Sequence, residues 1–213
     1  MEPKNITIAV ASRNQGKIRE IKRIFSEYAP NVEWTFLSAS DLAMPEIDET
    51  GKTFMENARI KALAGAKHSG MICLGEDSGL EVDKLDGAPG VSSHRFSETG
   101  LDDDNNALLM KLLQGVPWEE RSCRYRCAIA LADPQGILAQ TMGSVEGIIQ
   151  DELVGTNGFG YDPLFYAVEL GKTFGEAPDA EKDGISHRRR AIERLMPVML
   201  GRNFQNPMNA GSK

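Results

Sequence analysis

Residues 6–11 form a short apolar, β-branched run that stops at Ser12, and from Lys17 onward Ile18, Ile21, Ile24 and Phe25 recur at helical spacing. This pattern predicts a strand, a tight polar loop and a helix. A second strand is predicted over residues 32–37, followed by a polar loop through Pro45, Asp48 and Glu49. Thr53 with Glu56 three positions later is a capping-box pattern, and Phe54, Ala58, Ala62 and Ala66 continue one helical face as far as Gly70. A buried strand is predicted over residues 71–74, ending in the polar cluster Gly75, Glu76, Asp77, Ser78 and Gly79. Residues 86–100 are rich in Gly, Pro and Ser and read as loop, before a helix predicted over 103–113. Two β-like runs, 125–132 and 137–149, flank the turn residues Asp133, Pro134, Gln135 and Gly136, which predicts an antiparallel hairpin. A last helix starts near Ser186 and carries Ile192, Leu195, Met196 and Met199 on one face. Residues 201–213 read as a polar, frayed tail behind a single domain over 1–200.

Strand-helix alternation early and a hairpin later predict an α/β protein: a mixed, strongly twisted sheet with flanking helices, in two lobes that enclose a cleft lined by the polar loops. Polar residues just past strand ends are where open α/β sheets place ligands. A length of 213 residues suffices for a substantial core, and no apolar run approaches membrane-spanning length. The N-terminal stretch lacks the basic start and apolar region of an export signal, so a cytoplasmic protein is expected. The net charge of −7 argues against a nucleic-acid partner, since polyanions are held by excess Lys and Arg. Three cysteines, Cys73, Cys123 and Cys127, suit reduced thiols in a reducing compartment, and two of them without further ligands make a poor zinc site.

Four constellations carry candidate chemistry. Ser12, Arg13, Asn14, Gln15, Gly16 and Lys17 lie between a strand and a helix, where backbone N–H groups, a hydroxyl, an amide and a lysine suit a phosphate. Read structurally, Ser12 or Asn14 caps the helix and Lys17 is solvated. Glu49 with Glu76 and Asp77 offers the few carboxylate oxygens that magnesium takes when substrate phosphates complete its shell; otherwise Glu76 and Asp77 belong to a solvated turn. Phe159, Gly160, Tyr161 and Asp162 join two aromatic faces to close backbone approach, as a base pocket requires, or else form a packed turn. Lys182, His187 and Arg188 bring donors to the start of the last helix, where Ser186 can cap.

In this order the four constellations closely resemble the inosine triphosphate pyrophosphatase family, the Ham1-like non-canonical purine nucleoside triphosphate pyrophosphatases. The resemblance runs over residues 6–200 and is most specific at 12–17, 76–95 (with Gly87, Ala88, Pro89 and Gly90), 158–163 and 186–188. It implies a homodimer, a magnesium ion, and cleavage between the α and β phosphates of inosine and xanthosine triphosphates and their deoxy forms. By matching motif, the loop from Ser12 to Lys17 would hold phosphates, Glu49 and Asp77 would bind the metal, and Asp77 would be the base for the attacking water. Ser78 would contact substrate, residues 159–162 would stack on and frame base and sugar, Lys182 would neutralise phosphate charge, and His187 with Arg188 would read the base. The chain departs from the common pattern at Arg13, Glu76 and Arg189. Two other readings stay open: a Maf-like pyrophosphatase of modified pyrimidine nucleotides, and a nucleotide-binding module without catalysis.

Overall fold

The computed structural model describes residues 4–201. Of the tail expected over 201–213, only Gly201 is among them, closing a helix; the rest lies outside the described residues. In chain order the main elements are β1 (Lys4–Val10), α1 (Gln15–Tyr28), β2 (Val32–Ser38), α2 (Phe54–Ser69), β3 (Cys73–Val82), α3 (Asp102–Leu112), β4 (Ser122–Asp133), β5 (Gly136–Ile149), β6 (Phe165–Ala167), β7 (Lys172–Thr173), α4 (Asp179–Ile185) and α5 (His187–Gly201). The strands form a seven-stranded sheet in the order β2-β1-β3-β4-β5-β6-β7. It is mixed: β1 pairs parallel with β2 and β3, whereas β5 with β6 and β6 with β7 run antiparallel. By contact, the described residues divide into two compact units, one of residues 4–77, 128–142 and 190–201 and one of residues 78–127 and 143–189.

The first unit follows the apolar pattern closely. Ile18, Ile21, Ile24 and Phe25 of α1 are buried as their spacing requires, and Phe25 meets Trp34 and Phe36 of β2 edge-on at 4.9 and 5.2 Å. Helix α2 starts at the capping box read from the sequence: Thr53 Oγ1 accepts from Glu56 N–H at 3.2 Å, and Glu56 Oε2 accepts from Thr53 N–H at 3.2 Å. It ends at Gly70, which takes the left-handed conformation (φ 68°) that a side chain would resist. Ile192, Leu195, Met196 and Met199 of α5 are fully buried.

Strand β3 corrects one expectation. It does not end at residue 74 but continues through the polar cluster to Val82. Its register with β1 stops at Val10↔Leu74, so Glu76 and Asp77 extend beyond the carboxyl end of β1 while remaining in extended backbone. They tolerate burial there because cations meet them, as described below. Chain leaves β1 toward β2 on one side, with β3 on the other, so the loop after β1 sits at a topological switch point, the ligand position of open parallel sheets.

The second unit is built around Leu80, Val82, Leu109, Cys123, Tyr125, Val145, Ile149, Phe165 and Phe174. Helix α3 is one residue earlier than predicted, and the stretch read as loop contains a 3-10 turn at Gly90–Arg95. Strands β6 and β7 and helix α4 were not legible; each is too short to show a period. The predicted hairpin is present as β4 and β5. Asp133 Oδ1 accepts from the N–H groups of Gln135 (2.9 Å) and Gly136 (3.0 Å), and a link of two residues between adjacent strands permits only antiparallel pairing.

No helix among the described residues is long and apolar enough to cross a membrane. All three cysteines are buried and none is in a disulfide among the described residues. Burial pushes the Cys73 thiol up to about 12 and that of Cys123 higher still. Native protein at pH 8 is therefore expected to leave all three unmodified by an aromatic disulfide reagent over minutes and to titrate three thiols in denaturant; fast labelling of the folded chain would contradict this burial. A second expectation concerns Gly75, where an added Cβ would lie 2.2 Å from Ala58 O and 2.4 Å from Ala62 N of α2. Gly75→Ala should destabilise the protein by about 3 kcal/mol in urea titration; an unchanged midpoint would mean that strand and helix can part freely.

Candidate active site

Helix α1 opens at the carboxyl end of β1. Asn14 caps it, accepting from Lys17 N–H at 3.0 Å, and Asn14 N–H in turn donates to Ser12 Oγ at 3.1 Å. The capping half of the structural reading is present in the Asn14 side chain, but Lys17 is not a solvated lysine, since it meets Glu76; the first turn contains no acid. A positive helix end with a lysine on its first turn suits a phosphate. Arg13 is exposed, and one of its guanidinium nitrogens donates to Met44 O, which tethers it to the segment after β2. Gln15 is exposed and its Nε2 lies 3.5 Å from Arg13 O, while Gly16 is half-buried.

Successive residues of an extended strand point to opposite sides. Glu76 accordingly meets Lys17 of α1 (Oε2 to Nζ 2.9 Å), and Asp77 meets α2. Asp77 Oδ1 accepts from Lys61 Nζ at 2.9 Å and Oδ2 from Asn57 Nδ2 at 3.1 Å. Glu49 reaches the same ammonium, its Oε1 lying 3.3 Å from Lys61 Nζ. One buried lysine therefore gathers Glu49 and Asp77. Asp77 is 5% exposed, and burial raises its carboxyl above the usual aspartate range although Lys61 and Lys17 pull the other way. For Lys61, burial favours the neutral amine, but Asp77, Glu49 and Glu76 together outweigh it and hold the ammonium. Asn57 also accepts from Gly51 N–H at 2.8 Å, tying the loop that carries Glu49 to α2.

The donor set fits a hard divalent cation that draws its remaining ligands from substrate: Glu49 and Asp77 converge on one point of positive charge, and Glu76 is the next residue on β3. Among the described residues no three His, Cys, Asp or Glu side chains form a ready cage. Lys61 and Asn57 had not been identified in the sequence. The only signal was polar residues at i and i+4 on a helix face otherwise made of alanines.

In the second unit, Lys182 of α4 is 2% exposed and pairs with Asp162 (Nζ to Oδ2 2.5 Å). Its ammonium lies 4.8 Å from the ring centroid of Phe159 and 5.4 Å from that of Phe174. Asp162 also accepts from Phe159 N–H at 2.9 Å, which closes the loop on itself. Phe159 is half-buried, but Tyr161 differs from the expectation of two faces open to a base. Its ring is in the core, and its hydroxyl donates to Ser93 O at 2.8 Å. His187 stacks on Tyr125 at 4.8 Å with an interplanar angle of 12°. Burial, with the Asp162 carboxylate beside it, holds the Tyr125 hydroxyl protonated far above neutral pH. Arg188 is 1% exposed and donates from Nη2 to Ser78 Oγ at 3.1 Å, and Ser186 caps α5 by accepting from Arg189 N–H at 3.1 Å. The structure thus brings together Lys17 with Glu76, Glu49 with Lys61 and Asp77, Phe159 with Asp162 and Lys182, and Ser78 with Arg188.

The Ham1 family model matches residues 8–198. The chain is 47% identical over 190 residues to the dITP/XTP pyrophosphatase of Geobacter sulfurreducens, covering 88% of this chain and 94% of that one. It is 44% identical over 194 residues to the dITP/XTP pyrophosphatase of Desulforamulus reducens, with 90% and 94% covered. Among solved structures it resembles a HAM1 protein from Coxiella burnetii at TM-score 0.81 and 35% identity, over 92% of this chain and 100% of that one.

Lys61 is the cation that Asp77 and Glu49 share. Lys61→Met should lower the unfolding free energy by about 3–5 kcal/mol, because it strands charge out of water. Combining it with Asp77→Asn should restore part of that loss, a coupling that a double-mutant cycle in urea reads directly; strictly additive effects would show that the pair is solvated.

Proposed function

The chain belongs to the Ham1 family, and we propose that it hydrolyses non-canonical purine nucleoside triphosphates, those of inosine, deoxyinosine and xanthosine, to the monophosphate and pyrophosphate. The observation that carries this reading is the buried Asp77 carboxylate, oriented at both oxygens by Asn57 and Lys61 beside the Lys17–Glu76 pair. The relatives at 44–47% identity are pyrophosphatases of dITP and XTP, which supports the substrate class.

Phosphoanhydride cleavage needs an in-line water, neutralised oxygens and a fixed base more than covalent assistance. Asp77 takes the proton of the attacking water; its raised basicity suits that role near neutral pH. The first turn of α1 and Lys17 receive phosphate oxygens, with Ser12, Arg13, Asn14, Gln15 and Gly16 forming the loop around them. Glu49 and Asp77 would hold magnesium, which when bound supplies charge neutralisation on the phosphates. Phe159 offers a flat face to the base, Gly160 and Asp162 shape the loop, Ser78 contacts substrate, and Lys182 adds positive charge through its pair with Asp162. His187 and Arg188 read the base. A buried donor such as Arg188 donates to a 6-keto oxygen and is left unpaired against the 6-amino group of adenine. The proposal extends to a homodimer acting in the cytoplasm, on the strength of family resemblance.

A Maf-like pyrimidine specificity is disfavoured by the identity of the relatives, and a binding-only module by the intact set Lys17, Glu49 and Asp77. The test is pyrophosphate release from inosine, xanthosine, guanosine and adenosine triphosphates with and without magnesium. Release from the first two is expected to be magnesium-dependent and to exceed that from ATP by about 100-fold or more. Asp77→Asn should lower kcat by roughly 10²–10⁴-fold. Release from no purine would overturn the reading, and an unimpaired Asp77→Asn would remove Asp77 from the mechanism.

A further inference from the structure

Gly160 sits in the middle of the 158–162 loop at φ 63°, next to Phe159. Both of its backbone groups are held by one helix. Its N–H donates to Asp102 Oδ2 at 2.8 Å, and its C=O accepts from Asn106 Nδ2 at 3.0 Å. Asp102 and Asn106 are i and i+4 on α3, so they project from one face and meet the two ends of a single residue.

Neither side chain is spent on its own helix. The N-cap of α3 is Leu101, which makes no side-chain cap, and Asp102 points its carboxylate at Gly160. The neighbouring Asn105 does different work: its Oδ1 accepts from Ser97 N–H at 2.7 Å, fixing the segment before the helix. Asn106 is 3% exposed, and its Oδ1 has no hydrogen-bond partner among the described residues. A purely structural buried amide is normally satisfied at both ends, and one that is not calls for another explanation. On its far side the loop is fixed by Asp162, which accepts from Phe159 N–H, and by Tyr161, which donates to Ser93 O. The backbone on either side of Phe159 is therefore pinned, one end by the loop's own aspartate and the other by α3.

We propose that Asp102 and Asn106 are positioning residues, a two-point clamp on Gly160 that sets the Phe159 face for the purine base and so determines base affinity. The proposal rests on the reading above that this loop receives the base. A ring displaced by even a fraction of its stacking distance loses contact with a planar ligand while the phosphates are unaffected, so the clamp acts on KM and leaves kcat alone.

The test is steady-state hydrolysis of inosine triphosphate by wild type, Asp102→Ala, Asp102→Asn and Asn106→Ala, with inorganic tripolyphosphate as a competitive inhibitor that lacks a base. Asp102 is exposed, so its replacement leaves the fold standing. Each alanine variant should raise KM about tenfold with kcat within about twofold, the tenfold corresponding to about 1.4 kcal/mol. Tripolyphosphate inhibition should be unchanged, and Asp102→Asn should restore KM, because an amide oxygen accepts the same N–H. Unmoved KM in both alanine variants, or inhibition weakened in step with KM, would overturn the clamp. Failure of the wild type to hydrolyse inosine and xanthosine triphosphates would instead overturn the functional reading beneath it.

Discussion

The closeness of β3 to α2 is the constraint from which the arrangement around Asp77 follows. Gly75 has no side chain, and the space where a Cβ would stand is taken by Ala58 O and Ala62 N. The helix face opposite is made of alanines for the same reason. At Gly65 the approach repeats, with Cys73 Sγ 2.4 Å from where a Cβ would lie. Only at this distance can the short amide of Asn57, next to Ala58, reach Asp77, which projects from the same side of the strand as Gly75. Lys61, next to Ala62, closes on the other carboxylate oxygen. Small residues in the packing layer and long polar ones beside it are two parts of one arrangement.

The arrangement gathers carboxylates where water is scarce, which burial alone would forbid. Lys61 and Lys17 make it tolerable, and the direction of the shifts says how far: Lys61 is held charged, whereas Asp77 remains more basic than a solvated aspartate. A base of that kind is useful only if it is also oriented, and Asn57 supplies the orientation without adding charge. The second unit uses the same device for a different end. Lys182 and Asp162 form a buried pair, but the ammonium lies against Phe159 and Phe174 and the carboxylate spends a bond on the backbone of its own loop. There the pair closes a loop; in the first unit it orients the Asp77 carboxylate.

Much of this was legible in the sequence, and the failures have physical causes. Helices α1, α2 and α5 announced themselves because their buried faces are long enough to show a period, and Thr53 with Glu56 marked the start of α2 correctly. The β4–β5 hairpin was legible from Asp133 and Gly136 for similar reasons. Strand β3 was cut short because Glu76 and Asp77 look like a solvated turn until their partners are known, and those partners, Lys17 and Lys61, come from two different helices. The loop at 158–162 was recognised, yet its two aromatics were treated alike; Tyr161 goes to the core because Ser93, distant in sequence, offers its hydroxyl a carbonyl. Asn57 left only the faint trace of a polar residue four before Lys61 on an alanine face, and Asp102 and Asn106 left none, since both act on Gly160 far along the chain.

Selectivity and reactivity therefore make different demands on the same chain. Hydrolysis of a phosphoanhydride asks for charge and a base, and Asp77 is held at its two oxygens by Lys61 and Asn57. Discrimination between a keto and an amino group rests on donors that do not adjust. On the proposed reading Arg188 would meet that demand by being almost wholly enclosed, with Ser78 holding one nitrogen, and His187 would meet it by lying flat against Tyr125. A loop built around two glycines at positive φ, Gly158 and Gly160, would be the soft element beside these fixed ones. Asp162 stiffens it from within at Phe159, and α3 does so from outside, its side chains bonding Gly160 at both its amide and its carbonyl.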